Sequence, residues 1–185
     1  FNILHHRTNI EKVLKNLNKN LKEDGELYLW IYAQPGRYLH SLNVKLLRML
    51  IDADPKETDE ISLATEFITK VGNGSLLNDL VGASTTYLVK TKVARDPVWI
   101  ADQFLNPHEE IINMEQLLTL INASGFIFKD LLGINKDVSN LLNSSVLLEK
   151  FNMLDMEQRL IALDLLYKPE RYFVILKKEH QGKET

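Results

Sequence analysis

The chain has 185 residues, of which 45% are hydrophobic and 25% charged, the balance of an ordinary globular protein. Its 22 basic and 25 acidic side chains leave a formal net charge of −3, which gives no electrostatic case for binding nucleic acid or an anionic membrane surface. There is no cysteine, so disulfides, thiolate nucleophiles and Cys-ligated zinc are excluded, and a cytoplasmic location is expected.

The chain opens on Phe1-Asn2-Ile3-Leu4, an apolar start without a methionine or a charged leader, and reads as a fragment of a longer protein. No apolar run approaches the roughly 20 residues of a membrane span. Thr8-Asn9-Ile10-Glu11 reads as a capping box, with Thr8 as the cap. Behind it, Ile10, Val13, Leu14, Leu17 and Leu21 recur at helical spacing, and Lys22-Glu23-Asp24-Gly25 turns the chain. Glu26 to Tyr32 is nearly all apolar and aromatic, the composition of a strand buried on both faces, and Pro35-Gly36 is expected to close it.

From Arg37 to Asn113 no clean alternation holds. Helices are expected over Leu42 to Ile51 and Glu60 to Val71. A break follows at Gly72-Asn73-Gly74, then a short helix near Leu76 to Val81 and a strand over Thr85 to Val93. Asn113 can cap a helix carrying Leu117, Leu118 and Ile121, with Gly125 as its left-handed stop. Phe126 to Leu132 reads as a strand, Val138 to Phe151 and Asp155 to Tyr167 as amphipathic helices, and Tyr172 to Leu176 as a further strand. Strands alternating with helices indicate an α/β layer.

Two stretches carry a resemblance. Leu4-His5-His6, the helix to Leu21, the turn at 22–25 and the strand to Tyr32 are similar to the fourth-strand end, helix, turn and fifth strand of class I S-adenosylmethionine-dependent methyltransferases. In the turn, Glu23-Asp24 replaces the proline and first glycine of that pattern. Tyr32, Gly36-Arg37 and Asp102-Gln103-Phe104-Leu105-Asn106-Pro107 resemble a bacterial subgroup sometimes fused to tetratricopeptide repeats, with Asn106 where its histidine usually stands. The resemblance implies the C-terminal half of a Rossmann-like sheet, strands four to seven, the last antiparallel between five and six. It implies one partial domain over residues 1–185, with helical inserts at 38–112, as a lid or substrate insert, and at 133–169.

The function it implies is methyl transfer from S-adenosylmethionine to an acceptor that the sequence does not identify. Leu4, His5 and His6 would contact the cofactor, with His5 or His6 as a catalytic base near neutral pKa. Tyr32 and Arg37 would contact the acceptor, the guanidinium clamping an anionic group. The glycine-rich loop and acidic residue that grip most of the cofactor would lie upstream of Phe1, and Gly72-Asn73-Gly74 does not replace them. The cofactor expected is therefore S-adenosylmethionine, weakly held by this segment alone. No metal is expected: His108-Glu109-Glu110 cannot converge on one ion, and His40 and His180 join no constellation. The leading alternative is a non-catalytic protein-interaction module on the same scaffold, since its Leu-rich inserts could bury a partner. A dehydrogenase-type Rossmann protein is a weaker reading, because its fingerprint is also missing.

Overall fold

A computed structural model of the chain describes residues 9–55, 59–70, 96–106 and 109–179. The expectations for Leu4, His5, His6, Gly72–Gly74, 76–81, 85–93, His108 and His180 fall outside the described residues. The chain divides into two units, Phe1–Gly36 with His108–Thr185, and Arg37–Pro107.

In the first unit, helix α1 spans Ile10–Asn20 and buries Ile10 and Leu14. Its cap is Asn9, whose Oδ1 accepts from the Lys12 amide at 2.8 Å. The cap is thus Asn9 and not the expected Thr8, which lies outside the described residues, and Glu11 pairs along the helix with Lys15. The turn closes through the Gly25 amide and the Lys22 carbonyl, 3.0 Å apart. Strand β1, Glu26–Tyr32, follows. Strands β2, Phe126–Leu132, and β3, Arg171–Lys178, complete a sheet of order β1-β3-β2 in which β3 is antiparallel to both neighbours. The expectation of three strands in one sheet, with the last antiparallel, holds. A bulge at Lys129 shifts the register between Phe128 and Asp130.

Period-2 alternation sorts the side chains. Leu27, Leu29 and Ile31 of β1 lie beside Leu176, Val174 and Tyr172 of β3, all on one buried face. Against that face pack Ile10 and Leu14 of α1 and Leu117, Leu118 and Ile121 of helix α5, Met114–Ala123. The opposite face carries Tyr28, 56% exposed, and Phe173, 42% exposed, with Trp30 half-buried and Tyr32 buried, so β1 is fully covered on one face and only partly on the other, where its composition suggested both.

The second unit contains most of helix α2, Gln34–Asp52, with helices α3, Glu60–Lys70, and α4, Pro97–Phe104. Its core is Leu47, Ile51, Ala64, Phe67, Ile68, Ile100 and Phe104. The helix expected from Leu42 begins eight residues earlier, and Pro35 and Gly36 open it rather than close the strand. Proline is tolerated there because the first-turn amides have no intrahelical acceptor. Helix α4 was not anticipated; Asp96 caps it by accepting from Val98 and Trp99.

The segment expected as one helix from Val138 to Phe151 is two, α6, Ser139–Leu142, and α7, Ser145–Met153, parted by Asn143 in the left-handed region. Helix α8, Met156–Tyr167, starts after Asp155, which forms a full capping box with Gln158.

Candidate functional site

In the first unit, the carboxyl end of β1 is fastened by backbone bonds. The Ala33 amide donates to the Glu170 carbonyl at 3.0 Å, that of Gln34 to Ile112 at 2.9 Å, and that of Gly36 to Pro169 at 3.1 Å. Gly36 has no room for a side chain: a Cβ would sit 2.4 Å from the Pro169 carbonyl carbon and oxygen. The glycine of the Gly36-Arg37 pair therefore serves a close backbone approach. Tyr32 is 5% exposed and its ring meets Trp30 edge-on, with centroids 4.7 Å apart. Beneath this corner, Asp164 of α8 accepts from the Tyr172 hydroxyl at 2.7 Å and from the Met114 amide at 3.2 Å. One carboxylate thus ties α8 to β3 and to the first turn of α5. Burial raises the Asp164 pKa from its ordinary value, and burial with the Asp164 bond pushes Tyr172 up. A cleft of ≈ 530 Å³ opens at the head of α1, lined by Asn9, Glu11, Glu110 and Gln116 among others.

The second unit brings together two parts of the second resembling stretch, Arg37 and Asp102 to Leu105. Arg37, 5% exposed, reaches the Gln103 side-chain oxygen with Nη1 at 3.4 Å and Nη2 at 3.5 Å. The Gln103 amide nitrogen donates to Asp102 at 2.7 Å, holding that oxygen turned toward the guanidinium. His40, one turn along from Arg37, lies with Nε2 2.8 Å from the Gln103 carbonyl and its ring edge-on to Phe104 at 4.9 Å. Arg48 donates to the Leu105 carbonyl and pairs with Glu60 at 3.3 Å. Asp102 to Leu105 is thus the end of α4 that grips α2. Burial first, and the Arg37 charge second, hold His40 down at about 4, so the ring is neutral near pH 7.

Sequence reasoning named Arg37 but missed His40. The signal was available: Arg37, His40, Leu47 and Ile51 share one helical stripe, so the residues buried at 47 and 51 imply a side chain at 40 turned toward the same partner, where it is half-buried. Among the described residues, no group of three or more His, Asp or Glu could hold a metal. No described helix is long and apolar enough to cross a membrane.

No family model matches the chain, and no curated protein matches it in sequence. Solved structures share its fold, among them two of one protein. PKMT2 from Rickettsia typhi superposes on 96% of the chain with a TM-score of 0.68 at 13% identity. The same protein in complex with AdoHcy superposes on 97% with a TM-score of 0.67 at 15% identity. In both cases the chain spans 34% of that protein's length.

Proposed function

We propose that this chain is part of an S-adenosylmethionine-dependent methyltransferase and contributes the acceptor side of its site. The observation that supports the reading is the superposition of 97% of the chain on PKMT2, a methyltransferase, in its AdoHcy complex, AdoHcy being what remains of S-adenosylmethionine after methyl transfer. On this reading β1, β2 and β3 correspond to the fifth, sixth and seventh strands of the class I sheet. The residues at 38–112 serve as a lid or substrate insert, and those at 133–169 are a second helical insert.

S-adenosylmethionine supplies an activated methyl on a sulfonium, so the protein's task is to hold an acceptor in line and to take a proton where the acceptor carries one. Leu4, His5 and His6 precede α1 and are assigned to the cofactor's methionine end, with His5 or His6 as the base. The charge nearby suits a sulfonium, because Glu11 and Glu110 line the cleft at the head of α1. Arg37 binds an anionic group of the acceptor; Tyr32, at the end of β1, is the second acceptor residue.

The test is steady-state methyl transfer by the protein that contains this chain, following AdoHcy formation. Arg37→Ala should raise the KM for the acceptor roughly tenfold, the worth of one charge-assisted hydrogen bond, and leave the cofactor KM unchanged. His6→Ala should lower kcat or cofactor affinity. Absence of any AdoHcy formation by that protein with candidate acceptors, together with no cofactor binding by calorimetry, would overturn the reading.

A second reading, a non-catalytic interaction module on the same scaffold, is favoured by one observation. Helix α7 buries no residue, and Val146, Met153, Met156 and Leu165 on α7 and α8 are each more than 60% exposed. Cofactor binding by the intact protein separates the two readings.

A further inference from the structure

Helix α7 is held at one end rather than along its length. It buries none of its own residues, and its carboxyl end is fastened by Arg159 of α8. The Arg159 Nε donates to the Leu154 carbonyl at 2.8 Å and Nη2 to the Asn152 carbonyl at 2.6 Å. These are carbonyls that a helix end leaves without intrahelical donors. Beside that anchor, within the first unit, a cleft of ≈ 430 Å³ is lined by residues of β2, α7 and α8. Its apolar lining includes Phe128, Phe151, Leu154, Leu160 and Leu163, the last two buried. The bulge at Lys129 shapes the β2 wall. Phe128, Lys129 and Asp130 all line the cleft, where a regular strand would send successive side chains to opposite faces.

The charges around this cleft are unequally matched. Lys129 pairs with Glu26, and Lys136 with Asp130. Asp155, the cap of α8, accepts from the Gln158 amide at 2.8 Å. Arg159 is the exception: among the described residues no carboxylate pairs with it, and its contacts use only the Nε–H and one N–H of Nη2. The remaining N–H groups, on Nη1 and Nη2, form the end-on fork that suits a carboxylate. Two backbone carbonyls already fix the guanidinium, so little rotamer freedom is lost when an anion docks. An arginine that only closed a helix end would not need an apolar cleft beside it.

We propose that this cleft binds a small monocarboxylic acid with an apolar body, aromatic or branched aliphatic. The carboxylate accepts end-on from Nη1 and Nη2 of Arg159, and the body lies against Phe128, Phe151 and Leu154. Both halves are needed, because an ion pair in contact with water contributes little by itself and the apolar contact supplies the rest. Asp130 and Asp155 line the same cleft and disfavour a dianion such as a phosphate monoester. Bound there, the acid bridges α7 to β2 and orders a helix that buries nothing of its own. None of the residues assigned to methyl transfer lines this cleft, so the site goes beyond that reading and does not depend on it.

The experiment is an NMR titration of the isotopically labelled 185-residue chain with sodium 3-phenylpropanoate at pH 7 and constant ionic strength. Sodium acetate, the charge without the body, and 3-phenylpropanamide, the body without the charge, are the controls. Expected are saturable shifts at the Phe151 and Leu154 amides and at the Arg159 Nε–H, with a Kd of about 1 mM or tighter and both controls at least tenfold weaker. Arg159→Gln should weaken the acid at least tenfold, the loss of a charge-assisted pair. That change also releases the end of α7, so Phe151→Ala, which leaves both carbonyl bonds in place, is the second variant. It should weaken the acid about tenfold while the Leu117 and Ile121 amides keep their wild-type positions. Any of four results overturns the proposal: no saturation by about 20 mM acid, the amide binding as tightly as the acid, shifts confined to residues outside the cleft, or both variants binding as the wild type does.

Discussion

Replacing Gly36 by alanine sets two opposing effects against each other at one residue. Gly36 lies in the first turn of α2, where helix propensity alone favours alanine by up to about 1 kcal/mol. The added Cβ, however, would stand 2.4 Å from the Pro169 carbonyl carbon and oxygen and 2.5 Å from the Glu170 nitrogen. Ordinary contact needs about 3.5 Å or more, so one backbone must retreat by about an ångström. Both neighbours are main chain and neither can swing away as a side chain would. The retreat also stretches two bonds across the same corner, Gly36 to Pro169 at 3.1 Å and Ala33 to Glu170 at 3.0 Å. Overpacking of this kind costs about 1–3 kcal/mol and each weakened bond up to about 1 kcal/mol. After the propensity gain is subtracted, the net loss is about 2 kcal/mol. For a chain of this size that lowers Tm by about 4–8 °C. Thermal unfolding followed by circular dichroism, wild type against Gly36→Ala, is the assay. A Tm equal to or above that of the wild type would refute the close approach at this corner.

Asp164→Asn keeps an acceptor for Tyr172 but removes the ionisation. Because the folded-state pKa of Asp164 lies above its ordinary 3.8, its contribution is fully present below 3.8 and lost as pH rises through the raised value. Urea midpoints from pH 3 to 7 should therefore show the wild type losing stability relative to the Asn variant as pH increases. His40 runs the other way. Its pKa falls from 6.5 to about 4, so the unfolded chain binds the extra proton between those values and stability declines as pH drops across that window, by at most about 3 kcal/mol. His40→Phe should flatten that part of the profile, and direct titration of the ring should show a midpoint near 4. Asp155→Ala removes the cap that accepts from Gln158 at 2.8 Å and should cost about 1 kcal/mol, read as a lower urea midpoint with an unchanged slope.

Elements whose ends are set by their own side chains were legible from the sequence. Asn113 caps α5 through the Gln116 amide, and Gly125 after it takes φ 71°, both as their residue types suggest. The turn at 22–25 and the three strands followed in the same way from glycine and apolar runs. Where a distant segment decides the outcome, local reading failed. Pro35-Gly36 has the composition of a stop signal, yet it lies in the first turn of α2, and the glycine there answers to the Pro169–Glu170 backbone, which occupies the space a side chain would need. Tyr28 and Trp30 give β1 the composition of a doubly covered strand, although it is the face of Leu27, Leu29 and Ile31 that enters the core while Tyr28 stays exposed and Trp30 half-buried. The division of 139–153 at Asn143 turns on one left-handed residue, which asparagine permits without requiring.

The candidate site was legible in pieces and not as a set. Gly36-Arg37 and Asp102 to Pro107 were each recognisable, but 66 residues separate Arg37 from Gln103 in the chain, and nothing local says they touch. What joins them is the stripe on α2. Once Leu47 and Ile51 are known to face Ile100 and Phe104, the side chains three and four positions earlier on the same face must point at the same partner. Arg37 and Asn43 are therefore buried, and His40 half-buried, by consequence of the apolar half of the helix, and their polarity is a cost that packing alone gives no reason to bear. Gln103 meets part of that cost by facing Arg37 with its side-chain oxygen and His40 with its carbonyl. Asn43 is left with an unpaired donor.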